Sequence, residues 1–393
     1  LPPVLTLQSD LAGAGLRIPS LGWSMGAEAT ADLSLTAHLG NAAQVEQLSL
    51  SAPGLSLTGT VSTRDGGGFD RAQFSEVKVG NWLRGSAELV GRGQAGPAVN
   101  MSNGVLDMRN MPFSGSSGST GSASSGPITL KLDRLQVTDS FALHGFRGDF
   151  STLGGFSGQF SGALNGHTVV KGQVVPQNGG IATRIRSADA GGVFRSAGVV
   201  HHGRGGDFDM TLTPSNKPGE YDGRLKVKNI RVKDAPAIAA LINSLSLVGL
   251  FDELTGQGIL FTEVDARFRL GSSHLVVHES SAVGASIGLS MDGNYDLVSG
   301  VMNMRGVLSP IYLLNAVGRV FSRKGEGLIG FAFTLRGTAD SPQVKVNPLS
   351  GLAPGILREV FRGQAPTIPG EVVPERAEPA DGLTRAQRNS EER

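Results

Sequence analysis

The feature that most limits how this chain can fold is a period of two. In residues 262–270, Val264, Ala266, Phe268 and Leu270 alternate with Glu263, Asp265, Arg267 and Arg269. Successive side chains of an extended strand point to opposite faces, so this spacing puts four apolar groups on one side and four charges on the other. The pattern recurs. Ile287, Leu289 and Met291 alternate with Gly288, Ser290 and Asp292; Met302, Met304 and Leu308 oppose Asn303 and Arg305; Phe331, Phe333 and Leu335 alternate with Ala332, Thr334 and Arg336. Weaker copies are Leu130 and Leu132 around Lys131, and Leu225 and Val227 around Lys226.

Between such runs stand Asp65-Gly66, Asn165-Gly166, Asn178-Gly179, Asp222-Gly223 and Asp292-Gly293, dipeptides that predict tight antiparallel connections. Glycine accounts for 57 of 393 residues, about twice its usual share, with no collagen period. Turns, bulges and close backbone approaches among many short strands use glycine in this way.

Strands with one apolar face must cover it. A second sheet would give a sandwich; otherwise the faces line a long groove that lipid chains could occupy. Four helix candidates are too few and too short to serve as the cover. Residues 189–198 have Asp189 as cap and Gly198 as stop. Residues 234–250 have Asp234 as cap, Pro236 in the first turn and a stripe that includes Leu241 and Leu245. Residues 310–321 align Leu314 with Phe321, and residues 354–361 align Leu357 with Phe361. These stripes suit packing on the sheet, or closure of a groove end and contact with a membrane surface. Asp189-Ala190 and Asp234-Ala235 each follow a strand-like run, as a twice-used strand-then-helix insert would.

The expected organisation is an N-terminal antiparallel β segment (1–113), a Ser/Gly-rich flexible loop (114–126), a β region with helices (127–363) and a disordered polar tail (364–393). Lys plus Arg is 35 and Asp plus Glu is 34, a net charge of +1 that argues against nucleic-acid binding. The absence of Cys excludes disulfides, thiolate metal sites and cysteine catalysis. Leu1 in place of a starting Met is read as the mark of a fragment, with any anchor lying before it. The longest uncharged apolar stretch, 235–251, is interrupted by Asn243, Ser244 and Ser246 and falls short of the roughly 18 residues of a spanning helix.

Chemical motifs are present but out of context. Gly284-Ala285-Ser286-Ile287-Gly288 matches a nucleophile elbow, yet the residues after Ser286 continue as a strand rather than a helix. Gly325-Glu326-Gly327-Leu328-Ile329-Gly330 matches a dinucleotide fingerprint but follows a helix candidate and opens a strand, the reverse of what the pyrophosphate needs. His201 and His202 would face opposite ways on a strand, and His274 and His278 would lie about 13 Å apart on one. The acidic residues, mostly one per strand or turn, read as a solvated sheet face. No cofactor or metal is expected, and no acid, base or nucleophile set assembles.

From Tyr221 to Phe361 the chain resembles the C-terminal region of the AsmA-like family, in particular its YhdP-like bacterial members. The runs that carry the resemblance are Tyr221-Asp222-Gly223-Arg224-Leu225, Asp234-Ala235-Pro236-Ala237, Leu247-Val248-Gly249-Leu250-Phe251-Asp252 and Gly256-Gln257-Gly258-Ile259-Leu260-Phe261. Ser309-Pro310-Ile311-Tyr312-Leu313-Leu314-Asn315 and Asp340-Ser341-Pro342-Gln343-Val344-Lys345-Val346-Asn347-Pro348-Leu349 follow in order. The resemblance implies a mostly β, taco-like fold: a long curved antiparallel sheet forming an open hydrophobic groove, with a few short amphipathic helices in the C-terminal half. It implies a non-enzymatic, bridge-like phospholipid carrier in the periplasm of a Gram-negative bacterium, anchored in the inner membrane and supporting outer-membrane integrity. The partners implied are phospholipid acyl chains, the inner and outer membranes and other envelope proteins. The Ser/Gly tract is not a family hallmark, and the family offers no catalytic residue to carry over.

The groove candidates are Val264, Phe268, Leu270, Ile287, Leu289, Met291, Met304, Phe331 and Phe333, with a plain sandwich core as the alternative for each. Phe268→Asp is expected to weaken lipid loading without unfolding the chain. The competing function is an envelope assembly or regulatory factor that binds outer-membrane polypeptides at strand edges.

Overall fold

The computed structural model describes residues 2–112, 126–310, 329–338 and 341–352. More than half of them belong to one sheet of 21 strands. Its first part holds β1 (Val4–Ser9), β4 (Asp32–His38), β5 (Gln44–Ala52), β6 (Leu55–Thr63), β7 (Phe69–Val79), β8 (Leu83–Arg92) and β9 (Ala95–Asp107). A short separate hairpin, β2 (Leu16–Ile18) and β3 (Trp23–Met25), lies in the β1–β4 connection. The middle holds β10 (Pro127–Gln136), β11 (Ala142–Ser151), β12 (Ser157–Leu164), β13 (Thr168–Gln177), β14 (Gly180–Ser187), β15 (Gly203–Arg204), β16 (Asp207–Pro214) and β17 (Tyr221–Val232). The last part holds β18 (Ile259–Leu270), β19 (His274–Gly284), β20 (Ile287–Asp296), β21 (Met302–Pro310), β22 (Phe331–Gly337) and β23 (Pro342–Asn347).

Pairing follows the chain from β4 to β23, with β1 added beside β4 and the two-residue β15 beside β17. Every pair is antiparallel except β9–β10, which is parallel and joins the strands on either side of the Ser/Gly tract. Residues 113–125, which hold all of that tract but Gly126, lie outside the described residues, as does the tail 364–393.

The two long edges of the sheet differ. On one, which we call the hairpin edge, no connection exceeds six residues: 39–43, 64–68, 93–94, 152–156, 178–179, 215–220, 271–273, 297–301 and 338–341. Asn165-Gly166 (on the opposite edge) and Asn178-Gly179 turn as the sequence predicts, with φ of 48° and 81°, and 51° and 72°. The opposite edge, the helix edge, carries the longer described connections: 10–31 with the small hairpin, 188–206 with α1 (Ala190–Ser196), and 233–258 with α2 (Pro236–Ser244) and α3 (Val248–Thr255).

Three expectations need correction. Asp222-Gly223 and Asp292-Gly293 are not turns; they lie inside β17 and β20. The glycine there makes room for a neighbour. A Cβ on Gly223 would sit 2.1 Å from the Phe268 ring across the strand pair, and one on Gly293 would sit 2.8 Å from Met304 Sδ. The single helix expected at 234–250 is two helices, α2 and α3, broken where Ser246 adopts φ of 55°. Asp234 does not cap it: Ala235 holds the N-cap position and no side chain bonds there, although Pro236 opens the first turn. Asp189 does cap α1, accepting a hydrogen bond from the Gly192 N–H at 2.9 Å. The helix candidates 310–321 and 354–361, with Leu314, Phe321, Leu357 and Phe361, lie outside the described residues beyond Pro310.

The two short helices wrap an end of the sheet. α2 starts four residues after β17 ends, yet it packs against β23, six strands further on, while α3 packs against β18. Six flat spacings would be about 29 Å, so the sheet curls beneath the helix. Leu241, Ile242 and Leu254 face inward at 2% exposure or less. Leu245 sits at the C-cap of α2, packed against the same core. Among the described residues no helix is long and apolar enough to cross a membrane.

Candidate functional site

Directly paired residues of neighbouring strands point to the same side of a sheet, so the register locates each side chain. All nine groove candidates fall on one face of β18–β22, in transverse rows. Val264, Ala282, Leu289, Leu308 and Phe331 form one row; Ala266, Ser280, Met291, Gly306 and Phe333 the next. Phe268, Val277, Gly293, Met304 and Leu335 form a third, and Leu270, Leu275, Tyr295 and Met302 a fourth at the hairpin edge. Ile287 lies beyond the first row, opposite Pro310 at the helix edge.

The second row continues across the whole molecule. From Ala266 it passes to Leu225, Met210, Ile185, Gly172, Phe160, Gly148 and Leu130. It crosses the parallel pair to Met101, then Ala87, Phe74, Gly59, Leu48, Leu35 and Leu7. In the other direction it ends at Val346 on β23. Twenty strands thus contribute one residue each, and the only polar one is Ser280. At about 4.8 Å per strand the row is about 90 Å long.

Glycine shapes this face. Phe160 lies over Gly172, Phe74 over Gly59 and Phe333 over Gly306; an added Cβ would meet these rings at 2.0, 2.8 and 2.6 Å. The rings therefore lie along the sheet instead of standing up from it. Phe146, Phe150, Phe156 and Phe160 stack in a chain with centroid separations of 4.9 to 6.4 Å. Sequence reasoning missed these phenylalanines. The signal was present as Phe146-Arg147-Gly148-Asp149-Phe150 and Gly158-Gln159-Phe160-Ser161-Gly162, where glycine and phenylalanine share one parity.

Exposure varies over the face. Towards the helix edge it is closed: Val227, Leu308 and Ile287 are at most 1% exposed. Phe268, Met304 and Phe333 are also buried, whereas Val264, Leu270, Leu289, Met291 and Phe331 are half-buried. At the β1 end the face is open, with Leu5 and Leu7 at 44% and 40% exposure. Because Phe268 is buried over Gly223, Phe268→Asp would strike the fold itself and does not isolate a ligand site.

The opposite face carries the charges, mostly as cross-strand pairs in solvent. Arg269 binds Asp222 at 2.9 Å, Arg184 binds Asp209 at 2.5 Å, and Arg267 pairs with Glu279. The hydrogen bond from Arg184 holds the Asp209 carboxyl below its usual range. Asp292 departs from the expected solvated pattern: it forms a 2.7 Å ion pair with Arg305, directly opposite, and the two side chains are 8% and 11% exposed. Ser290, Val307, Ser309 and Ala332 around them are buried too, so at β20–β22 the charged face is covered around this pair.

The tempting motifs do not form sites. Ser286 sits in the two-residue link between β19 and β20, and no helix follows it. The Gly325 motif falls outside the described residues up to Leu328. His274 and His278 lie on β19, and His201 and His202 in the turn before β15. Among the described residues no three His, Asp or Glu side chains gather to hold a metal. No protein-family model, curated protein or solved structure matches this chain.

Proposed function

We propose that the chain is the body of a bridge-like lipid carrier whose apolar face holds phospholipid acyl chains and passes them between the inner and outer membranes of a cell envelope. The observation that carries this reading is the uncharged row running without a break over twenty strands. A core of that length, one residue per strand and half-exposed along much of it, is costly unless something apolar covers it. An acyl chain gains about 0.8 kcal/mol for each methylene withdrawn from water. The role needs no catalytic residue, only a continuous surface, and the resemblance of residues 221–361 to AsmA-like proteins supports it.

The test is to purify the whole chain without detergent, extract it with organic solvent and weigh the extract by mass spectrometry. Several phospholipids per folded chain are expected. A monodisperse, folded, lipid-free chain that also fails to take up lipid from vesicles would refute the carrier reading.

One observation favours a second reading, an assembly factor that pairs with polypeptide strands. Among the described residues β1 is laddered only to β4, and Val4, Leu5 and Leu7 are 58%, 44% and 40% exposed without a charged residue in the strand. Such an edge is a template for strand addition. Peptide instead of lipid in the extract would select this reading.

A further inference from the structure

The fourth transverse row, nearest the hairpin edge, has a different chemistry from the other three. It runs Tyr221, Leu270, Leu275, Tyr295, Met302. Two of the three tyrosines of the chain therefore stand in one row, on the apolar face, where it meets solvent. Both are half-buried. Among the described residues neither phenol oxygen has a hydrogen-bond partner; the Tyr295 hydroxyl lies beside Gly300 in the β20–β21 hairpin, 3.6 Å from where a Cβ would be. A buried phenol normally finds a partner, and tyrosine collects at boundaries with one apolar and one wet side. Among the described residues, the far ends of these strands present Val227, Leu308 and Ile287 on this face, closed and aliphatic.

We infer that Tyr221 and Tyr295 mark the headgroup boundary of the groove. Each phenol O–H donates a hydrogen bond to an ester or phosphate oxygen of a diacyl phospholipid, with the acyl chains directed along the strands towards the helix edge. The two tyrosines are three strands apart, about 14 Å, so each serves its own lipid. This inference rests on the carrier reading and adds to it an orientation and two residues that select a glycerophospholipid over a bare hydrocarbon.

The chain has no Cys, so single labels are easily placed. Ser272→Cys and Ala285→Cys flank β19 at the hairpin and helix edges, both at exposed positions. Each carries a fluorophore, and the probes are phosphatidylethanolamine bearing a nitroxide on its headgroup or at its acyl terminus. The headgroup nitroxide should quench the 272 label several-fold more than the 285 label, and the acyl nitroxide should do the reverse. Tyr221→Phe with Tyr295→Phe, which keeps the apolar area, should weaken phosphatidylethanolamine retention about fivefold and leave uptake of a pyrene-labelled alkane unchanged, the loss of one neutral hydrogen bond per lipid. Equal quenching at both edges, or unchanged retention in the double variant, overturns the orientation while the carrier reading stands. No quenching of either label and no alkane uptake overturns both.

Discussion

Met291→Asp separates a ligand surface from a core. Met291 is half-buried in the continuous row, between Ser280 and Gly306, which leave space on either side. Half of a methionine's burial is worth about 1 kcal/mol, and an aspartate that keeps contact with water adds little to that loss. With an acyl chain over the position the carboxylate must instead meet hydrocarbon, which costs about 3 kcal/mol for an acidic group in a bilayer interior. Affinity for lipid at this point should fall about a hundredfold, with only a small drop in the unfolding midpoint. Lipid retained per chain, from extraction and mass spectrometry, is compared with urea unfolding of the same preparation. Unchanged lipid together with a loss of several kcal/mol would refute the reasoning and make the row an ordinary core.

Gly172→Val should destabilise the fold by about 1–3 kcal/mol, because the new side chain occupies the place of the Phe160 ring; adding Phe160→Ala should recover part of the loss in urea titrations. Arg305→Met leaves the Asp292 carboxylate without its guanidinium in a closed site and should cost about 3–5 kcal/mol, most of it restored by adding Asp292→Asn. The Asp107 carboxyl, bound by Arg109, is held down to about 2 from 3.8. A lowered folded value means that its stabilisation is complete above about pH 4 and fades as pH falls towards 2. The stability advantage of the native chain over Asp107→Asn should therefore be constant from pH 7 to 5 and shrink by pH 2.5; an unchanged difference over that range would remove the acid linkage.

Strand identity was legible because it is local. The alternation of Val264, Ala266, Phe268 and Leu270 is a property of consecutive residues, and a period of two admits little but a strand with one wet face. The cap on α1 was equally readable, since Asp189 and Gly192 are three residues apart. The failures came where a distant partner decided. Gly223 and Gly293 look like turn residues until Phe268 and Met304 arrive from neighbouring strands to fill the space above them. Asp292 looks like a surface acid until Arg305 is set directly opposite it under cover. The Tyr221–Tyr295 row could not be read at all, because those residues are 74 positions apart and become neighbours only through the register of β17 to β20.

The sequence by itself determined that this chain makes many strands with one apolar face, because side-chain direction along a strand follows from backbone geometry alone. Only the tertiary structure decided that twenty of those faces join into one uncharged surface, closed along the helix edge and open towards β1. Register, curl and cover depend on which strands pair and which connections fold back, and these are contacts between residues far apart in the chain.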